Sequence, residues 1–509
     1  MKTFILLLFS VTLSYAQQLT IAWQKCVGGT AGEYGWSVKE LSDGTFITCG
    51  YTDSNNGDFI NNKGEDDCAL IKLSSTGTVL WSKLFGGTGN EEAIDVISTS
   101  DNGFIFTGYS ESNDNDVSGN HGYRDIWVVK TDASGTLQWQ KCYGGSQDDE
   151  SNAIIQTSDG GYIIVGSSYS SDGEVTGHHG TYNWDMWVIK ISSTGTLEWQ
   201  KCYGGTETEE GYSIAESTNG DFIVAGYTSS TDGDVSGNHG GHDAWIIRIN
   251  SLGTLLWQRC MGGSSTEEFN SISINDDGTI MALGYSNSST GDLVGTGFHG
   301  DDDFWLNKLS SSGTTLWSKC YGGPLADQAN RMAKTADGSF LLCGLASSNG
   351  GDISGMHSSM LGPDIWVTKV NSSGTLVWQK CLGGNDQDEG LYISSTSDNN
   401  CIVSGFTYST DGDVIGNHGN KDMWFVKLNG VSSNVNEITL DKFYVYPNPS
   451  KNIIFFSQEV ALVTITNITG KQISIRQTTE NNSLDISYLE PGIYFIKADD
   501  HEMLKWVKE

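Results

Sequence analysis

Three scarcities bound this chain. Proline occurs 5 times in 509 residues, so its turns fall to 64 glycines together with Asn, Asp and Ser, as in an all-β chain of many hairpins. Basic residues are few: 28 Lys and Arg face 62 Asp and Glu, for a formal net charge of −34. A surface of that sign repels phosphate backbones and anionic headgroups, which excludes nucleic-acid and lipid-surface binding. After the N-terminus no apolar run approaches the roughly twenty residues that span a bilayer. Phosphate-cradling loops, nucleophile elbows and zinc signatures are absent. Arg124, Arg248, Arg259 and Arg331, the arginines of residues 19–430, are too scattered for a carboxylate clamp. The sequence argues for no enzyme.

The N-terminus has Lys2, an apolar run from Phe4 to Leu13 and the small-x-small site Ser14-Tyr15-Ala16. This predicts a cleaved secretory signal peptide over residues 1–16 and a protein that leaves the cytoplasm. Ten cysteines in such a chain suggest disulfides, but Cys26, Cys142, Cys202, Cys260, Cys320 and Cys381 recur at one position of a repeat. Positions one repeat apart are too distant for the ~5.5 Å Cα separation of a bridge, so these read as buried thiols. Cys49 and Cys68, at the end of one strand and the start of the next, are the pair expected to bridge.

What the chain has is a period. A tryptophan opens the phrase WQKC-x-GG at Trp23, Trp139, Trp199 and Trp378, with variants at Trp81, Trp257 and Trp317, every 58 to 61 residues. One supersecondary unit is therefore copied in tandem, each copy hiding its apolar faces against its neighbours. Residues 149–205 show the unit: strands over Glu150–Thr157, Tyr162–Gly166, Asp185–Ile191 and Leu197–Tyr203, with turn signals between them. The array opens with a lone fourth strand, Leu19 to Val27, and ends after a third strand, Asp422 to Leu428. Joining the two ends in one blade removes the open edges. The expected fold is all-β: a seven-bladed β-propeller of four-stranded blades over residues 17–430, followed by a small C-terminal β-sandwich domain.

The phrases SDGGYIIVGSS and DMWVIKISSTGTLEWQKCYGG and their copies resemble the bacterial seven-bladed β-propeller repeat family called SBBP, over residues 19–430. Those motifs are turn and core signatures and imply no activity; the loop between second and third strands is longer here than usual. After a linker over residues 431–441 the period stops. Residues 442–509 carry FYVYPNPS at 443–450, turns at Asn467–Lys471 and Leu489–Tyr494, and the ending KWVKE. This segment is similar to the C-terminal sorting domain of the type IX secretion system. The resemblance implies engagement of that machinery, passage across the outer membrane, and release or attachment at the outer surface.

Several columns could carry chemistry. Trp127, Trp187, Trp245, Trp305, Trp366 and Trp424 share a third-strand position, with Ala69 in the first copy, and recurrence in every blade points to packing. Trp36 and Trp184 break the pattern, lie in or near loops, and are the candidate ligand contacts. In the long loop, Asp232, Asp234, Ser236, Gly237 and Asp243 reproduce a calcium-loop frame, repeated by Asp114, Asp116, Ser118, Gly119 and Asp125. Local Asp and Ser turns are the competing reading, since the last Asp persists where the frame fails. His121, His179, His239, His299, His357 and His418 form a column suited to loop packing. Glu33, Glu91, Asp149, Glu209, Glu267, Asp327 and Asp388 form another, suited to strand starts rather than to a sevenfold glycosidase pair. The long-loop face is read as the working surface. The expectation is a non-catalytic binding or adhesion module for an extracellular glycan or protein. The alternatives are a polysaccharide-acting hydrolase or lyase with its site in non-repeated loops, and a structural surface protein.

Overall fold

The computed structural model describes residues 19–357, 362–431, 445–446, 449–456, 460, 462–477, 483–498 and 504–508. The expected signal peptide, and the linker beyond Val431, lie outside the described residues. The chain divides into two compact units, residues 1–432 and 433–509.

The first unit holds seven four-stranded antiparallel sheets. Blade 3 is typical: inner strand Asp149–Gln156, second strand Tyr162–Ser168, third strand Asp185–Ile191, outer strand Leu197–Tyr203. Six blades are continuous in sequence. Blade 7 takes Asp388–Ser395, Cys401–Thr407 and Asp422–Asn429 from the end of the array and its outer strand, Thr20–Val27, from the start. This closure repeats the chemistry of a continuous blade. Trp424 Nε1 donates to Gln24 Oε1 at 2.7 Å across 400 residues, as Trp127 donates to Gln140 at 2.8 Å within blade 2.

The third-strand tryptophans are wedges. All six are at most 1% exposed, and each packs against the preceding blade: Trp187, for example, joins a cluster with Ile105, Ile126 and Val128. In blade 1 the wedge is only Ala69, and the loop residue beside it is enlarged to Phe59, fully buried in the same cluster. Elsewhere that loop position is Val, Leu or Ile, so volume is conserved across the pair.

All ten cysteines are buried and free. The expected Cys49–Cys68 bridge is not formed. Cys49 stands opposite Leu70 and Cys68 opposite Tyr51, which makes the two cysteines diagonal neighbours. Diagonal Cα atoms are typically ~7–8 Å apart, beyond the span a disulfide tolerates.

Every inner strand carries a β-bulge after its third residue, so one residue per blade drops out of the ladder. A glycine of the second strand lies under each bulge. At Gly108 a Cβ would stand 1.7 Å from the Glu92 carbonyl oxygen, so no larger residue fits.

The C-terminal unit pairs a three-stranded sheet with a four-stranded one over a core that includes Ile454, Phe456, Val463, Ile465, Ile496 and Trp506.

Candidate functional site

The bulges decide what faces the propeller axis. A residue pushed out of a ladder no longer alternates between the two sheet faces and projects from the strand edge. The seven bulge residues, Trp36, Ile94, Asn152, Tyr212, Asn270, Asn330 and Leu391, all line one cavity of about 310 Å³, one from each blade. Trp36 is therefore not a loop residue as expected: it lies inside the inner strand Glu33–Glu40, and its indole N–H is buried without an acceptor. The asparagines are fixed by the next blade. Asn152, Asn270 and Asn330 each donate Nδ2 to the backbone carbonyl of Gly211, Ala329 and Gly390, at 2.9, 3.0 and 2.9 Å. That leaves their amide oxygens as acceptors along the cavity. A smaller cavity of about 140 Å³ continues along the axis, and Arg331 and Tyr392 line both.

A second ring, absent from the sequence reading, stands two residues before the bulges. It consists of Tyr34, Glu92, Glu150, Glu210, Glu268, Gln328 and Glu389. The signal was available as acid doublets, Glu91-Glu92, Glu209-Glu210 and Glu267-Glu268, of which only the first acid was singled out. Tyr109 donates to Glu92 at 2.7 Å and Tyr227 to Glu210 at 2.8 Å. Burial pushes Glu92 and Glu268 up to about 7.

A third ring forms the rim on the long-loop face: Asp66, Arg124, Trp184, His242, Asp302, Pro363 and Lys421. Their carbonyls accept the N–H of the first inner-strand residue of the next blade at 2.7–2.8 Å, a stitch repeated around the ring. Their side chains diverge. Arg124 pairs with Glu150 at 2.6 Å and Glu111 at 2.8 Å; Lys421 Nζ stands 3.1 Å above the Tyr34 ring. Burial draws the Lys421 ammonium down to about 8. Trp184, the other expected contact, meets Tyr169 edge-on at 5.5 Å at this rim and does not line the cavity with Trp36.

The calcium-frame residues are not brought together. Asp114 accepts from Thr88 N at 2.9 Å, Asp116 from Lys63 at 2.8 Å, Ser118 from Gln140 at 2.6 Å, and Asp125 meets His121 Nδ1 at 2.6 Å. The second frame repeats this: Asp232 with Thr206 N, Asp234 with Gly204 N, Ser236 with Gln258 and Asp243 with His239. Each of these residues is held by a different neighbour, and Asp125 and Asp243 each keep one oxygen, Oδ1, buried without a partner. Among the described residues no group of three or more His, Cys, Asp or Glu gathers as a metal site.

The recurrent histidines and acids are internal fasteners. Each histidine of the column meets the third-strand Asp through Nδ1, from His121–Asp125 to His418–Asp422, and Lys63 takes that place in blade 1. The acids of the Glu33 column are fully buried and accept the N–H of the second glycine of each GG pair, such as Gly87 to Glu91 at 2.6 Å and Gly145 to Asp149 at 2.7 Å.

Comparison with known proteins identifies the C-terminal segment. Residues 444–509 match the family model described as secretion system C-terminal sorting domain. The chain is 26% identical over 401 residues to the regulatory protein FlaEY of Caulobacter vibrioides, covering 71% of this chain and 40% of that one. It is 19% identical over 449 residues to the uncharacterized WD repeat-containing protein L264 of Acanthamoeba polyphaga mimivirus, covering 67% and 32%. It thus spans less than half the length of these curated relatives. Among solved structures it is similar to the Neurospora crassa Pan2 WD40 domain, at 9% identity and a TM-score of 0.44, covering 81% of this chain and 96% of that one. A protein of unknown function from Bacteroides caccae is similar at 12% identity and a TM-score of 0.35, over 62% and 90%. Among the described residues no helix is long and apolar enough to cross a membrane. The chain is a β-propeller of four-stranded repeats that carries a type IX secretion system C-terminal sorting domain, and it is exported to the cell surface or secreted.

Proposed function

We propose that the protein is a non-catalytic binding module that takes the end of an extracellular glycan into the long-loop mouth of its channel. The divergence of the bulge ring carries this reading. Packing columns repeat from blade to blade, whereas the bulge ring offers an indole, a phenol, two aliphatic chains and three amide oxygens. Amide acceptors suit sugar hydroxyls, and aromatic faces suit sugar rings. A cavity of about 310 Å³ is at the lower end of small-molecule sites, roughly 300–1,000 Å³, and suits a chain terminus.

The test is calorimetry against bacterial, algal and plant oligosaccharides with intact protein, the Trp36→Ala variant and the rim variant Trp184→Ala. Binding lost in Trp36→Ala and kept in Trp184→Ala supports the channel. Binding unaffected by Trp36→Ala removes it. A second reading, a polysaccharide-acting enzyme, is favoured by Glu268, which lines the same cavity and which burial pushes up to about 7, the range of a general acid. A reducing-end assay on the same oligosaccharides separates the two: new ends replace the binding reading with the enzymatic one.

A further inference from the structure

We infer that the waist of the channel anchors a carboxylate, so that the glycan end taken from the long-loop mouth is an acidic one, a uronate. This rests on the glycan reading of the same channel and names its ligand more narrowly.

Four residues break their columns at the waist. The inner-strand position after the bulge is Ser or Ala in four blades but Asp95, Arg331 and Tyr392 in blades 2, 6 and 7. Two residues further on, Lys39 stands where the other blades carry Ile, Ala or Ser. Nearly three hundred residues separate Asp95 from Tyr392, yet the ring brings all four to one level. The Arg331 guanidinium lies 5.0 Å over the Tyr392 ring, and Lys39 Nζ lies 4.5 Å from the same ring and donates to its hydroxyl.

The charges do not balance. Lys39 is 3.7 Å from Asp95, whose carboxylate also accepts from Ser37 Oγ at 2.8 Å and Ile154 N at 3.3 Å. Arg331 gives one N–H to the Asn270 carbonyl at 3.1 Å. Among the described residues it pairs with no carboxylate, whereas Arg124 and Arg248 both do. In a chain with a formal charge of −34 a half-buried guanidinium without an acid is conspicuous. Its planar fork presents parallel donors matched to a carboxylate, and the cavity next to it holds the amide oxygens suited to hydroxyls. One ligand with hydroxyls and a carboxylate satisfies both. Five glutamates ring the mouth, and each is paired, hydrogen-bonded or raised by burial: Glu150 pairs with Arg124, Glu210 accepts from Tyr227 and Tyr212, and burial brings Glu92 and Glu268 up to about 7 and raises Glu389.

The experiment compares three probes by calorimetry at pH 7: trigalacturonate, its methyl ester and the neutral galactose trisaccharide. Intact protein should prefer trigalacturonate over the ester by about tenfold or more, the effect of a charge-assisted hydrogen-bonded pair. Arg331→Gln should abolish that preference, so that acid and ester bind alike, and Arg331→Lys should restore part of it. The ester comparison needs no variant, so a poorly folded Arg331→Gln protein does not obscure the result. Equal affinity for acid and ester overturns the carboxylate anchor and leaves the glycan reading standing. Binding of none of the three, with neutral oligosaccharides of other kinds bound in a Trp36-dependent way, also overturns the anchor alone. Failure of every oligosaccharide to bind overturns both.

Discussion

Burial at blade junctions raises twelve carboxyls, which should leave the propeller less stable at pH 8 than at pH 5, and Asp149 gives the effect a magnitude. Its carboxylate is fully buried and accepts from Gly145 N at 2.7 Å, from Ser170 Oγ at 2.8 Å and from the Ser168 hydroxyl. Asp125 of the preceding blade faces the same glycine. A Cβ on Gly144 would be 2.6 Å from Asp149 Oδ2 and 2.7 Å from Asp125 Oδ1, and that Oδ1 is buried with no hydrogen-bond partner. Burial pushes Asp149 from 3.8 up to about 7, with Asp125 adding to it and the hydrogen bonds opposing it. A carboxyl raised on folding holds a proton that the unfolded chain releases. Its contribution to stability is therefore complete below about pH 4, falls as pH rises, and is lost above about 7. At about 1.4 kcal/mol per pH unit the ceiling is about 4 kcal/mol for this one group. In Asp149→Asn the amide oxygen can keep the Gly145 bond, and Ser168 can turn its hydroxyl to the Ser170 carbonyl, 3.4 Å away. The advantage of the variant over the parent should be about 1–3 kcal/mol larger at pH 8 than at pH 5. Guanidinium unfolding followed by tryptophan fluorescence at both pH values measures this. An equal loss at both pH values would show that the ionised carboxylate is the stabilising form and that burial does not favour the protonated acid.

Three further outcomes follow from the geometry. Gly108→Ala should cost about 4 kcal/mol or more, read as a large drop in melting temperature, because the new Cβ meets the Glu92 carbonyl at 1.7 Å; a near-neutral effect would contradict the bulge. Thiol titration should find ten free thiols in denaturant and almost none reactive in the native state, since all ten are buried and burial raises the Cys49 and Cys68 thiols well above their ordinary value. Adding calcium to chelator-treated protein should leave the melting temperature unchanged, because Asp114, Asp116, Ser118 and Asp125 are each held by a different partner and no group of three His, Cys, Asp or Glu gathers among the described residues. A rise of several degrees would mean the loops rearrange to gather them.

The fold was legible because periodicity survives divergence. The tryptophan columns set the strand positions, and a lone fourth strand at one end with a missing one at the other announced the closure. The candidate site was legible only in part. Trp36 stood out as a break in the pattern, but its place in a bulge did not, since a bulge disturbs the two-residue alternation by which a strand face is recognised. Glu92 and Glu268 were hidden beside acids whose role is internal. Arg331 read as one of a few scattered arginines because its partners, Lys39, Asp95 and Tyr392, belong to other blades and meet only when the ring closes. Divergence within a column, compared position by position, would have found them.

Hydrogen–deuterium exchange of intact protein, free and saturated with a bound oligosaccharide, reads ring closure and axial binding in one experiment. Exchange along Thr20–Val27 should be slow in the free protein, with ligand-induced protection in the inner strands around Trp36, Asn152, Asn270 and Arg331. Fast exchange of Thr20–Val27 with free protein, or protection confined to the long loops and outer strands, would contradict a closed ring that binds through its axis.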